Sequence, residues 1–347
     1  NVHADSETLR VAYKQQAKVT TENWKDILDN LKIDPRKMYK EPPVCIEIER
    51  NGESSRLATF GNFSAIIGKA KSRKTFLVSL ILGAAIKQDQ PQNLIKVTLP
   101  PGKTRCVFFD TEQSTYDVWK VVKRILNTAE TLVSDNFEAY GLRAHSPKER
   151  LILIQQFLYN NENIGLVVID GIRDLVNDIN SPEEATEITS HLLKWTEERD
   201  IHIITALHQN KGDNNARGHL GTEIVNKAET VISVEKDNEI SMVSPEFVRG
   251  KDFIPFAFSI DKEGIPYVLE DWSKPNKDGK KKSTSPFDFP KESHVMILKQ
   301  IYTVEPFFSY AKLITAIVSA MDKNGCRLGQ SKAREFVTYY MTEKLIK

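Results

Sequence analysis

The sequence predicts an α/β fold with a largely parallel sheet, an antiparallel extension and a small α-rich C-terminal unit. Three observations carry that expectation. Short apolar runs dense in Val, Ile and Phe, at 63–67, 105–110, 166–170, 202–207 and 230–234, are bounded by polar residues, as strands buried on both faces require. Between them, 74–86, 115–126, 147–158 and 182–198 space apolar residues at the three- and four-residue intervals of helices. After Val234 that alternation gives way to closely spaced strand-like runs at 239–243, 253–260 and 266–269.

In chain order, residues 1–60 read as a lead-in. A polar, helical start precedes a short apolar helix at 24–31, and an alternating strand at 44–49 opens a strand hairpin that turns at Asn51 and Gly52. Residues 61–271 hold the alternating core. Residues 272–287, rich in Lys, Ser, Pro, Asp and Gly, have the composition of a linker. Residues 288–347 show helical patterns at 294–302, 308–320 and 331–345, with Ser331 read as the last helix's cap. That unit fits a helix-turn-helix or winged-helix-like module, or a plain helical packing domain. Lys332 and Arg334 in the last helix's first turn oppose its dipole, which points to DNA as their reason.

The chain has 347 residues, 40% hydrophobic and 27% charged, a balance that excludes a disordered or membrane-embedded chain. No apolar run approaches the roughly 20 residues of a membrane span, and the first 25 residues are polar, without a signal-peptide core. Cys45, Cys106 and Cys326 are far apart and form no CxxC pair. Neither a disulfide framework nor a zinc site is expected, and the default setting is reducing and cytoplasmic. The net charge is +1, but from Trp272 onward basic residues outnumber acidic ones about two to one. That asymmetry fits a polyanionic partner or a solvated lysine-rich linker.

The chemistry-bearing pattern begins at Gly68, Lys69, Ala70, Lys71, Ser72, Arg73, Lys74 and Thr75. This stretch joins an apolar strand to an apolar helix with the length of a Walker A loop, G-x-x-x-x-x-K-T. Such a loop wraps phosphates with backbone N–H groups at a helix N-terminus. Lys74 is placed for the β- and γ-phosphates of ATP and Thr75 for Mg2+. Arg73 stands where the motif has its second glycine, which restricts the backbone and crowds the loop. A lysine-rich turn without a nucleotide is the competing reading of the loop alone. Four further elements follow in order. Glu112, just past the strand ending Asp110-Thr111, suits a general base, or is an ordinary loop acid. Asp170 ends a four-residue apolar run in the Walker B manner. Asp174 beside it reads as a helix-start residue. His208 ends the next strand as a phosphate sensor or as a hydrogen-bonded strand-end histidine. Arg217 or Lys211, on a glycine-punctuated polar loop, could act as a charge-stabilising finger or be solvated.

With these residues in this order, the chain resembles RecA-superfamily ATPases of the plasmid RepA-type replicative helicases and related mobile-element ATPases. The resemblance covers about residues 55–270. It includes Arg217-Gly218-His219-Leu220-Gly221-Thr222-Glu223 and a basic Arg249-Gly250-Lys251 segment. It implies a RecA-like P-loop core with ATP and Mg2+ as cofactors. By this resemblance Lys74 and Thr75 contact phosphate and Mg2+, Glu112 is the base, Asp170 the Walker B acid, His208 the sensor and Arg217 the finger. It also implies homo-oligomeric rings, commonly hexamers, and DNA as partner, with no membrane.

The expected function is that of an ATP-hydrolysing, helicase-like motor or remodelling factor on nucleic acid. The alternative is a nucleotide-sensing DNA-binding regulator with weak or no hydrolysis, for which Arg73 argues. A small-molecule phosphotransferase is a third class, disfavoured by the lack of an arginine-rich lid between the core strands.

Overall fold

The computed structural model describes residues 20, 23–50, 52–87, 94–210, 216–270, 272, 285–306, 308–324, 326 and 328–346. The polar start over 1–19, the turn residue Asn51, Lys211 with the rest of 211–215, and most of the 272–287 linker lie outside them. The chain divides into two compact units, Asn1–Lys274 and Pro275–Lys347.

In the first unit the order is α1 (Trp24–Leu31), β1 (Val44–Arg50), β2 (Glu53–Thr59), β3 (Phe63–Gly68), α2 (Lys74–Lys87) and β4 (Ile95–Val97). Then come β5 (Arg105–Asp110), α3 (Thr115–Thr128), β6 (Phe137–Gly141), α4 (Pro147–Asn160), β7 (Ile164–Asp170) and a 3-10 turn (Ile172–Leu175). The unit continues through α5 (Pro182–Arg199), β8 (His202–His208), α6 (Gly218–Lys227), β9 (Thr230–Asp237), β10 (Ile240–Val248), β11 (Phe256–Ile260) and β12 (Pro266–Val268).

Nine strands form one sheet in the order β12-β11-β10-β9-β3-β8-β7-β5-β6. From β9 to β6 every neighbouring pair is parallel. From β9 to β12 every pair is antiparallel. The fold is therefore α/β with a mostly parallel mixed sheet. A separate antiparallel sheet, β2-β1-β4, is built from the lead-in and from β4.

Successive residues of the parallel strands enter opposite cores. Ile66, Cys106, Phe108, Leu166 and Val168 pack with α2 and α3 residues such as Leu77, Ile81 and Val121. Ala65, Ile67, Val107, Phe109 and Val167 pack on the other face with Ile154, Leu192 and Leu220 from α4, α5 and α6. Helices on both faces leave no polar side for these strands, so they read as unbroken apolar runs. The strands without such a run, β2, β4 and β6, escape that signal. β2 is polar in sequence, β4 has three residues, and β6 is an edge strand that is only partly buried.

The second unit holds a 3-10 turn (Pro286–Asp288), α7 (Lys291–Val304), α8 (Tyr310–Lys323) and α9 (Gln330–Thr342). Its core gathers Ile297, Ile301, Ile317, Met321, Phe336 and Tyr340. Its described residues include no strand. One expectation is corrected. Ser331 does not cap α9; the N-cap is Gly329, without a side-chain bond, and Ser331 lies inside the helix. Lys332 pairs with Glu335 at 2.8 Å, which gives it a local partner in the first turn. Arg334 remains exposed. Among the described residues, no helix is long and apolar enough to cross a membrane.

His202 opens β8 fully buried, with Nδ1 2.8 Å from the Thr59 carbonyl and Nε2 3.1 Å from Ser64 Oγ. These partners fit a neutral ring donating through Nδ1 and accepting from the serine hydroxyl. Burial pushes its pKa down to about 4, against the bond to Thr59. The unfolded chain takes up this proton near 6.5, so the stabilisation is complete above that pH and is lost as pH falls toward 4. Between pH 7 and 4.5, His202→Gln should therefore lose roughly 2 kcal/mol less stability than the wild type. Urea unfolding at both pH values reads this, and equal losses in the two proteins would reject it.

Candidate functional site

The sheet order puts β3, β8, β7 and β5 side by side with their carboxyl ends on one edge. The register aligns Gly68 with His208, Asp170 with Ala206, and Asp110 with Asp170. Loops leaving that edge are where open α/β sheets bind ligands. Residues up to 140 positions apart in sequence thus converge because their strands are neighbours.

The loop after β3 is built by close approach. A Cβ on Gly68 would lie 2.4 Å from Ser72 Oγ and 2.5 Å from the Val234 carbonyl. Glycine is required there. The Ser72 amide donates to the Lys69 carbonyl at 3.1 Å, and the Arg73 carbonyl accepts from Phe76 and Leu77, opening α2. Lys71 and Arg73 adopt φ of 63° and 72°, a left-handed conformation that costs a residue with a Cβ about 1–2 kcal/mol. The Arg73 backbone is restricted as the sequence suggests, but its guanidinium is drawn to the β9–β10 turn. It donates to the Glu239 carbonyl at 2.7 Å and lies 3.5 Å from that residue's carboxylate.

Lys74 is buried, and its ammonium has three acceptors: the Gly68 carbonyl at 3.0 Å, the Lys69 carbonyl at 3.3 Å and His208 Nδ1 at 3.1 Å. Burial lowers its pKa, while the charges of Asp170 and Glu112 oppose the shift. The next residue, Thr75, donates its hydroxyl to Asp170 Oδ2 at 2.7 Å. Burial pushes the Asp170 carboxyl up to about 6 despite that bond.

The turn after β5 is shaped by its first acid. Asp110 accepts the amides of Glu112 at 3.0 Å and Gln113 at 2.7 Å, which frees the Glu112 side chain to face the site. Thr111 binds the Gly171 carbonyl at 2.8 Å and Asp174 Oδ2 at 3.0 Å. Asp174 lies in the 3-10 turn after β7, where its carboxylate meets Thr111 and Arg173. Glu112 Oε1 lies 3.9 Å from His208 Nε2. Burial raises the Glu112 pKa, the neighbouring Asp174, Asp170 and Asp110 add to it, and Lys74 opposes. Burial lowers His208, with Lys74 and Arg217 adding to the effect. A neutral ring that accepts from Lys74 at Nδ1 carries its proton on Nε2, toward Glu112.

These groups line a cleft of about 430 Å3 that takes in Lys71, Ser72, Arg73, Lys74, Thr75, Glu112, Asp170 and His208. Gly68 and Lys69 contribute carbonyls, and Ala70 is exposed. Arg217 does not line the cleft. It is the exposed N-cap residue of α6, its amide donating to the His208 carbonyl at 3.1 Å. Lys120 and Arg124 on α3 and Lys236 on β9 line the cleft and were not foreseen. For the α3 pair a signal exists: Asp117, Lys120, Val121 and Arg124 follow Glu112 at one-face helical spacing. Arg124 stacks 3.7 Å from the Phe76 ring centroid, and burial lowers its pKa.

The residues present suit a polyphosphate. Lys71, Arg73, Lys74, Lys120, Arg124 and Lys236 outnumber the lining carboxylates Asp110, Glu112, Asp117 and Asp170. Ser72 Oγ is buried without a hydrogen-bond partner. Among the described residues, no group of three or more His, Cys, Asp or Glu could form a metal cage. Mg2+ needs none, since it is commonly held by one or two protein oxygens together with substrate phosphates.

Gly171, at φ 96°, sets the spacing between the two acidic strand ends. A Cβ there would meet Thr111 Oγ1 at 2.2 Å and Glu112 Cγ at 3.1 Å. Gly171→Ala should cost about 2 kcal/mol of stability and displace Glu112. Thermal unfolding and a crystal structure of the variant check this; an unshifted Glu112 at wild-type stability would disprove it.

No protein-family model matches the chain, and no curated protein sequence matches it.

Proposed function

We propose that the protein binds ATP with Mg2+ in this cleft, on a RecA-like P-loop core, and hydrolyses it to act on nucleic acid as a helicase-like motor or remodelling factor. The observation that carries the nucleotide part is the convergence of Lys74, Thr75, Asp170, Glu112 and His208 at adjacent parallel strand ends. Lys74 exchanges its carbonyl partners for the β- and γ-phosphates, and the loop amides other than that of Ser72, which the Lys69 carbonyl holds, wrap them at the start of α2. Thr75 and Asp170 would hold Mg2+, which would neutralise charge on the phosphate oxygens. Glu112, its pKa raised by burial, takes a proton from the attacking water. His208 touches Lys74 on one side and faces Glu112 on the other, so it registers loss of the phosphate.

The nucleic-acid part and a ring-shaped homo-oligomer rest on the resemblance of the ordered motifs to RepA-type helicases. The exposed Arg217 suits a finger offered to a neighbouring subunit, and the basic C-terminal region with its exposed Arg334 suits DNA. A second reading, the nucleotide-sensing DNA-binding regulator, has its own support. The three internal acceptors of Lys74 and the arginine in place of the loop's glycine suit a site that binds without turning over.

The wild type should hydrolyse ATP faster in the presence of single-stranded DNA. Lys74→Ala should abolish both binding and turnover. Glu112→Gln should keep binding while losing roughly 100-fold or more in kcat. Calorimetry and a phosphate-release assay separate the readings: binding without hydrolysis, with or without DNA, selects the regulator, and no binding rejects both.

A further inference from the structure

Arg73 holds a left-handed backbone, φ 72°, at the loop position where glycine would enter that region freely. Such strain persists at sites where the surroundings impose it and a function uses it. The contact its side chain makes does not account for the residue. The side chain is 13% exposed, yet its partners are one neutral carbonyl and a Glu239 carboxylate that is 89% exposed and 3.5 Å away. An ion pair whose acid is that solvated contributes little. The same side chain lines the cleft next to Lys74 and Lys236.

We propose that Arg73 is a phosphate-contacting residue of the nucleotide site, and that its bond to Glu239 is a resting position it leaves when a polyphosphate enters. The inference builds on the nucleotide reading above. It adds that the loop supplies its own guanidinium to the phosphates, in the same chain, where the usual glycine supplies none. A guanidinium offers a planar fork that can meet two phosphate oxygens at once. The Arg73 carbonyl stays bound to the Phe76 and Leu77 amides, so the side chain can swing without unwinding the start of α2. The release is cheap, because water or a phosphate replaces a single carbonyl and a solvated carboxylate.

The competing role is a fastener between the loop and the β9–β10 turn. Calorimetric titration of the full chain with Mg2+ and the β,γ-imido analogue of ATP, ADP or AMP distinguishes the two. Arg73→Gly removes the charge and relieves the backbone, so its melting temperature should be unchanged or higher. It should bind the triphosphate analogue at least about tenfold more weakly, with a much smaller loss for AMP. Glu239→Ala, which frees the guanidinium from its carboxylate, should bind the triphosphate tighter, by at most about fivefold. Wild-type triphosphate affinity in Arg73→Gly would overturn the proposal and leave the nucleotide reading standing. Failure of the wild type to bind any of the three would remove that reading, and this proposal with it.

Discussion

The parallel pairing of β3 with β8 is the constraint on which the rest of the site depends. It fixes Gly68 opposite His208, with the Gly68 carbonyl accepting from the Gln209 amide at 3.1 Å. β3 can take that place only because both its faces are buried, Ile66 in one core and Ala65 and Ile67 in the other. A polar residue at any of these positions would leave an unmet donor or acceptor between the sheet and a helix layer. The loop after Gly68 then has little freedom. It must turn within van der Waals reach of Val234 and deliver Lys74 to the sheet edge as the first residue of α2.

The same economy explains why the acids sit where they do. β5 and β7 align Asp110 with Asp170, and two carboxylates side by side repel unless their roles diverge. Asp110 turns its oxygens to the amides of Glu112 and Gln113, while Asp170 takes the Thr75 hydroxyl. Both line the cleft, but one acid shapes the neighbouring turn and the other holds the first turn of α2. The Glu112 side chain reaches the site as a consequence of Asp110, with Gly171 leaving the room for Thr111 between the two strand ends.

How far the sequence could show this depends on how each part is stabilised. The parallel core was legible because its strands are apolar on both faces and its helices are periodic. β1 and α1 were legible because alternation and helical spacing are local signals. β2 was legible only through the Asn51-Gly52 turn that makes it the second arm of a hairpin; β4 and β6 were not, since their pairing partners and not their own composition make them strands. In the cleft, Glu112, Asp170 and His208 could be placed from their positions at strand ends, and Lys74 and Thr75 from the loop that opens α2. Lys120 and Arg124 carried a one-face helical spacing, but which face of α3 turns to the cleft is set by packing, and for Lys236 on β9 the sequence held no signal. The C-terminal helices add one misplaced boundary: the cap read at Ser331 is Gly329, because α9 already starts at Gln330.

The charges in the cleft form a coupled set whose members cannot be valued one at a time. Lys74 is disfavoured by burial and supported by Asp170 and Glu112. Glu112 is disfavoured by burial and by three acids, and supported by Lys74. Neutralising Lys74 therefore leaves two carboxylates short of their nearest cation, and their affinity for protons rises together. Neutralising Glu112 relieves the other acids and weakens the hold on Lys74. The two single changes act through shared partners, so a double change should not equal their sum. An incoming polyphosphate brings its own negative charge into this set. It adds to the repulsion on Glu112 and Asp170 while compensating Lys74, so the cleft needs more cations than its own acids demand. Lys71, Arg73, Lys120, Arg124 and Lys236 join Lys74 to bring the lining to six cations against four acids, a surplus of two. Their placement around a lysine already satisfied by carbonyls and an imidazole is what supports the proposal of a polyanion over a neutral ligand.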